Sequence, residues 1–206
     1  KDEVNLVVSK SMQKNKVMGM AMSLISGGRV VDTSTYGITN SITQDAVQID
    51  TKFEAASLTK PLFAYLILCL CDKKLINLDT PVSEYLPNYE ISRDLRYKLI
   101  TPQNILCHSS GFENWSSKPL SIHFDPGSKF MYSGEAYTYL QKSVEHITGK
   151  GLEQLIEEEI FKPLHMNNSA LVWTSEVNNQ LSYTFDSEGR MEQKRTHSGF
   201  SVCTEP

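Results

Sequence analysis

The residues with the clearest chemical potential are Ser57 and Lys60, three positions apart at the head of an apolar run. In a helix, such a pair shares one face about one turn apart. A serine hydroxyl becomes a nucleophile when a neighbour takes its proton, and a lysine can do so when burial or another cation lowers its pKa. The positive end of the helix would stabilise a developing anion. A helix-capping serine beside a solvated lysine fits the same letters, so both interpretations stay open here.

A first helix and a hairpin are predicted before this pair, and a long helix is predicted to begin at it. Apolar positions predict a first helix over 5–14. Two strand-like runs, 18–26 and 30–36, flank a short Gly-containing turn and predict a β-hairpin. The next helix should begin near Ser57 and end at 72–74, where lysines suit the negative end of its dipole.

The rest of the chain is predicted to be mainly helical. Thr101 followed by Pro102 is typical of a capped helix start, and apolar residues three and four apart predict a helix over 135–148. The other predicted elements are a short helix at 81–87, a helix over 152–161, and a hairpin with strands 181–185 and 191–196.

Composition excludes several classes of protein. Among 206 residues, 20 Lys and Arg stand against 24 Asp and Glu, a net charge of −4, which argues against binding to nucleic acid or an anionic membrane surface. Because 40% of the residues are hydrophobic, general disorder is excluded. No apolar run reaches the roughly 20 residues that span a bilayer, and no signal peptide is visible.

Neither the cysteines nor the histidines predict a metal site. Cys69, Cys71, Cys107 and Cys203 contain no CxxC pair, and the histidines lie far apart in the sequence. Cys69 and Cys71 fit simple packing in an apolar helix. The sequence therefore implies no metal and no organic cofactor.

The Ser57 segment resembles the nucleophile segment of the serine β-lactamase-like superfamily, of the class C β-lactamase, penicillin-binding protein and esterase type. In that superfamily S-x-x-K carries the nucleophile, and here it stands within Phe53-Glu-Ala-Ala-Ser57-Leu-Thr-Lys60-Pro61. Further segments resemble the family in the same order, from about residue 15 to the end of the chain. They are 75–87, 100–111, 126–134, 146–149 and 161–166. Several ordered matches are much harder to obtain by chance than one.

The resemblance implies an α/β (α+β) fold of the β-lactamase/transpeptidase type. Helices would pack against an antiparallel sheet, beside a mostly helical region, in one domain over 1–206. Family members are longer, and their C-terminal part supplies central strands, a third motif and one N–H of the oxyanion hole. The chain is therefore expected to be incomplete at its C-terminus, or completed by a second chain.

The resemblance also implies the site and the reaction. Ser57 would be the nucleophile, with Lys60 and Tyr132 as general acid and base; a core tyrosine at 132 is the alternative. The reaction would be acyl-enzyme formation on an ester, a β-lactam or a D-peptide amide. The alternative function is a non-catalytic protein of the same scaffold that binds peptidoglycan-like or peptide ligands. The family suggests a periplasmic or exported location and a small-molecule or peptide substrate.

Two positions depart from the family pattern. Gly134 stands where the family's tyrosine motif most often has an asparagine that touches the substrate's amide. This change bears on β-lactam or peptide recognition more than on the chemistry of Ser57. The third motif is not evident: His197-Ser198-Gly199 matches its letters but follows the tyrosine motif too closely.

Overall fold

The computed structural model describes residues 2–87, 91, 94–116 and 120–192. These form two compact units, one of residues 2–54 and 173–192 and the other of residues within 55–172. The expectation of one domain over 1–206 stays a prediction. No helix within the described ranges is both long and apolar enough to cross a membrane.

The first unit opens with a helix and the predicted hairpin. Helix α1 covers Asp2–Asn15, and strands β1 (Gly19–Ser26) and β2 (Arg29–Gly37) pair antiparallel. The turn between the strands uses Gly27 and Gly28 at φ 57° and 73°, a left-handed conformation that glycine adopts without strain. A hydrogen bond of 2.7 Å from the Tyr36 hydroxyl to Asn5 ties α1 to the hairpin. The predicted first helix and hairpin are confirmed.

The second unit is helical, and its helices begin and end where local signals predict. Its helices are α2 (Thr59–Asp72), α3 (Val82–Tyr85), α4 (Pro102–Leu106), α5 (Gly134–Thr148) and α6 (Leu152–Ile156). Thr101 and Asn104 form a capping box at the start of α4, so two backbone N–H groups are satisfied. Gly149 ends α5 in a left-handed conformation.

The helix predicted over 152–161 is only partly α-helical. After α6 the backbone widens into a π-helical turn, Glu157–Phe161. Ile160 and Phe161 within this turn are buried, so the wider turn carries their side chains into the core.

The core of the second unit is one apolar cluster that fixes α2 and α5. The ring of Phe63 on α2 lies 5.8 Å from the ring of Tyr137 on α5, centroid to centroid. Fully buried members of the cluster include Phe63, Leu66, Ile67, Ile105, Phe112, Tyr139, Leu140 and Ile156. Since buried side chains of this size pack closely, the first turns of α2 and α5 are held in place, and these turns carry the candidate site.

The second predicted hairpin is confirmed around its turn: the N–H of Asp186 donates to the Arg190 carbonyl and the N–H of Glu192 to the Thr184 carbonyl, each over 2.9 Å. Helix α7 (Ser175–Gln180) precedes the hairpin, and Leu181 then forms a parallel bridge with the distant Lys52. Phe185 and Met191 form a single antiparallel bridge around the predicted turn, and residues 193–196 lie outside the described residues. The turn was predictable from its Asp and Gly, whereas the long-range partner of Leu181 was not.

Candidate active site

Ser57 lies in a 3₁₀ turn, Ala56–Leu58, that leads into α2. Ala56 has a φ of 43°, in the left-handed region that residues other than glycine adopt rarely. The N-cap position of α2 belongs to Leu58, and no side chain makes a capping hydrogen bond there. The interpretation of Ser57 as a helix-capping serine is therefore wrong.

Lys60 is buried one turn further on, with 6% of its surface exposed. Its Nζ donates a hydrogen bond of 3.2 Å to Oγ of Ser57. The spacing of three residues thus places both groups on one face, as predicted. The interpretation of Lys60 as a solvated lysine is wrong, because its position in the core side of α2 removes it from water.

Two tyrosine rings lie next to the Lys60 ammonium. Its Nζ is 5.0 Å from the ring centroid of Tyr132 and 5.5 Å from that of Tyr137. Aromatic faces attract a cation at these distances. Tyr132 is 38% exposed, so the alternative of a core tyrosine is wrong. The structure therefore brings the three predicted residues together, with Lys60 between Ser57 and Tyr132.

His108 is a fourth member of this cluster. Its ring stacks on Tyr132 with 4.4 Å between centroids, and its Nδ1 accepts a hydrogen bond of 3.1 Å from the backbone N–H of Ser133. Its carbonyl oxygen accepts a hydrogen bond of 2.8 Å from the N–H of Met131. Burial, followed by the charge of Lys60, lowers the pKa of His108. A neutral His108 therefore holds the segment that carries Tyr132.

The sequence placed His108 in a family segment, 100–111, but no spacing linked it to Tyr132. The two residues are 24 positions apart, and only folding stacks their rings. His108 contacts the candidate acid–base residue Tyr132 and the backbone of Ser133, so it positions the segment that carries Tyr132.

We expect the protein to lose stability as the pH falls below about 6.5, the ordinary pKa of histidine. Because the folded state lowers the pKa of His108, the unfolded chain binds more protons between the two pKa values, and acidification favours unfolding. Protonation of Nδ1 also removes the acceptor for the Ser133 N–H. Urea midpoints from pH 8 to pH 5 measure this effect.

The matched variants for this prediction are His108→Gln and His123→Gln, because His123 is exposed. We expect only His108→Gln to flatten the acid side of the midpoint profile. Equal profiles for the unsubstituted protein and both variants would contradict the prediction.

A loop residue holds the start of α5 just beyond Tyr132. The N–H of Gly134 donates to Oδ1 of Asn114 over 2.9 Å, and the N–H of Glu135 donates to the Asn114 carbonyl over 3.0 Å. The Ser133 hydroxyl donates to the carbonyl of Glu113 over 2.7 Å and accepts from the Ala136 N–H as the N-cap of α5. The loop and the helix start therefore form one hydrogen-bonded unit.

Gly134 lies against the indole of Trp115. A Cβ placed on Gly134 would lie within 2.7 Å of three indole carbons, closer than real side chains approach. An asparagine therefore does not fit at 134 while Trp115 keeps this position. The sequence flagged the glycine but not its partner, because nothing in the spacing of residues 115 and 134 indicates a contact.

The third motif of the family is not located among the described residues. His197, Ser198 and Gly199, which match its letters, lie outside them. The described part of the site therefore consists of the 3₁₀ turn at 56–58, α2, His108, the loop 113–116, Tyr132 and the start of α5.

Comparison with known proteins gives matches along most of the chain. A family model described as "Beta-lactamase" matches residues 4–198. "Protein flp" of Staphylococcus aureus (strain NCTC 8325 / PS 47) is 23% identical over 192 residues, which cover 84% of this chain and 39% of flp.

Two solved structures have a similar fold. The octameric penicillin-binding protein homologue from Pyrococcus abyssi has a TM-score of 0.82 at 23% identity. The match covers 98% of this chain and 52% of that one. A class C beta-lactamase has a TM-score of 0.84 at 21% identity, and the match covers 98% of this chain and 58% of that one. The predicted β-lactamase/transpeptidase-type fold is confirmed, with helices and a small antiparallel sheet. The chain spans about two fifths of the length of flp and little more than half of each solved chain.

Proposed function

The chain belongs to the beta-lactamase family, and from that premise we propose that it is a serine hydrolase working through an acyl-enzyme. Members of the family are typically serine hydrolases. The observation that carries the proposal is the hydrogen bond of 3.2 Å from buried Lys60 to Ser57. A buried lysine nitrogen within hydrogen-bond distance of a serine hydroxyl, next to a tyrosine, can take the proton of that hydroxyl when the lysine or the tyrosine is unprotonated, and this activates the nucleophile.

In the proposed reaction, Ser57 Oγ attacks the carbonyl carbon of an ester, a β-lactam or a D-peptide amide. Its proton passes to the Lys60–Tyr132 pair, with one of the two in its unprotonated form. The tetrahedral intermediate collapses, the leaving group takes that proton, and an acyl-Ser57 ester remains. Water then attacks this ester, the same pair relays a proton back to Oγ, and the carboxylic acid departs.

The backbone N–H of Ser57 is proposed as one donor to the oxyanion. The second donor, with the third motif, is proposed to come from a segment or a second chain outside residues 1–206. Loss of one such donor costs about 10²–10³ in rate, so the intact polypeptide is the form to test. An exported or periplasmic location belongs to the same proposal and rests on family membership.

A second candidate function is ligand binding without catalysis. Gly134 favours it, since it lacks the side-chain amide of the asparagine most common at this place in the family, and the indole of Trp115 lies where a side chain would begin. The retention of Ser57, Lys60 and Tyr132 in contact disfavours it, because binding alone does not need a buried lysine on a serine hydroxyl.

The test is the mass of the intact protein before and after incubation with a fluorophosphonate and, separately, with a penicillin. We expect one stoichiometric fluorophosphonate adduct, mapped by peptide mass to Ser57. Protein unfolded in urea is the control and should stay unlabelled, because the activation depends on the fold.

Each outcome of this labelling experiment decides between the candidate functions. An additional penicillin adduct on Ser57 would favour a β-lactam or D-peptide substrate, whereas labelling by the fluorophosphonate alone would favour an ester. No adduct on the folded, intact polypeptide would contradict the hydrolase and support ligand binding.

A further inference from the structure

The indole of Trp115 occupies the space beside Gly134 where another residue would carry its side chain. Three of its ring carbons would lie within 2.7 Å of a Cβ at 134, so the ring contacts the backbone of the first turn of α5. Gly134 follows Tyr132 by two residues, and two peptide units span at most about 7.6 Å. The ring therefore contacts the chain two residues after Tyr132.

The position of this ring is fixed from both sides. Its neighbour Asn114 accepts the N–H groups of Gly134 and Glu135, as described above. On the other side, the N–H of Ser116 donates to Oε1 of Glu135 over 3.0 Å. The residues flanking Trp115 are thus bonded to the start of the same helix that the ring contacts, so the loop has little freedom to move the ring away.

Despite these restraints, Trp115 is 41% exposed. A rigid aromatic ring with a solvent-facing surface offers a large apolar contact. Because the ring is already ordered, little side-chain entropy is lost when a ligand binds to it. Tyr132, two residues before Gly134, is 38% exposed, so a candidate acid–base group two residues from the Trp115 contact is also open to solvent.

We propose that Trp115 is a specificity-determining residue, whose indole contacts an aromatic or aliphatic group next to the reacting carbonyl of an ester substrate. This inference rests on the proposed hydrolase function and narrows its substrate class. Gly134 has no side-chain amide with which to bind a substrate amide, whereas the indole face provides apolar contact. The site thus favours esters with an apolar group over substrates anchored by a peptide amide.

The first experiment compares kcat/KM for three esters: ethyl acetate, ethyl phenylacetate and phenyl acetate. The two aromatic esters place the ring on the acyl side or on the alcohol side. We expect Trp115→Ala to lower kcat/KM at least about tenfold for one or both aromatic esters, and less than about twofold for ethyl acetate. Trp115→Phe should restore most of the loss, and circular dichroism verifies that each variant is folded.

An equal loss for all three esters would overturn the inference while leaving the hydrolase function intact. Ser57→Ala separates the two: if it hydrolyses the esters as fast as the unsubstituted protein, the hydrolase function fails instead. Because the ratio of variant to unsubstituted protein is compared for each ester, the intrinsic reactivity of the ester cancels.

A second measurement depends neither on catalysis nor on whether the Trp115→Ala variant folds. Residues 1–206 contain two tryptophans, so Trp173→Phe leaves Trp115 as the only one among them, and any tryptophan elsewhere in the polypeptide is likewise replaced by Phe. In a protein that also carries Ser57→Ala, ethyl phenylacetate should bind without reacting and change the emission of Trp115, whereas ethyl acetate at the same concentration should not. Unchanged emission with all three esters would overturn the inference.

Discussion

A Lys60→Met protein is expected to react with the fluorophosphonate about 10²–10⁴ times more slowly than the unsubstituted protein. Methionine has a similar unbranched shape and suits the buried position, but it cannot exchange a proton with Ser57. The second-order rate constant for adduct formation measures the effect. Exposed Lys10 provides the control, since Lys10→Met should react at the full rate.

Two further variants separate the proton chemistry of Lys60 from its charge. Arginine keeps the positive charge but does not give up a proton in proteins, so Lys60→Arg should be about as slow as Lys60→Met. Full activity of Lys60→Arg would contradict a role in proton transfer. Ser57→Ala sets the baseline, and adding Lys60→Met to it should cause no further loss, because residues that act as a unit are not additive.

A Tyr132→Phe protein is expected to hydrolyse its ester substrate about 10²–10³ times more slowly. The change removes only the phenol oxygen, because the ring remains to stack on His108 and to face Lys60. The loss therefore measures proton transfer and not packing. The kcat and KM values should show a fall in kcat with little change in KM.

The control for this variant is Tyr65→Phe, which removes a phenol from an exposed position of α2 away from the Lys60 cation. It should keep full activity. A Tyr132→Phe protein with full kcat would contradict the acid–base role of Tyr132, whatever the behaviour of Lys60.

Local signals predicted the parts of the fold that depend on neighbouring residues. The start of α4 at Thr101 and Pro102 and the Gly27–Gly28 turn were predicted in this way, and each acts within a few positions. Elements that depend on distant partners were predicted poorly. Leu181 pairs with Lys52, and the π-helical turn at 157–161 holds Ile160 and Phe161 buried in the unit.

In the candidate site, too, contacts within one segment could be predicted from the sequence, whereas contacts between distant segments could not. The contact between Ser57 and Lys60 follows from helical spacing, and the approach of Tyr132 was predicted only through the family resemblance. The burial of Lys60 could not be predicted from its own segment, since the rings next to it, Tyr132 and Tyr137, lie more than 70 positions further along the chain. The contacts of His108 with Tyr132 and of Trp115 with Gly134 join segments with no shared motif.

Because the His108 ring packs against aromatic rings, its proton resonances can report on the state of this site. The His108 ring lies 4.4 Å from the Tyr132 ring and 5.2 Å from the Tyr137 ring, centroid to centroid. Ring currents from two neighbours at these distances move the imidazole proton resonances of His108 away from those of a solvent-exposed histidine such as His123. A ligand that displaces the Tyr132 ring would shift this one set of signals, so occupancy of the site can be followed by magnetic resonance without any turnover.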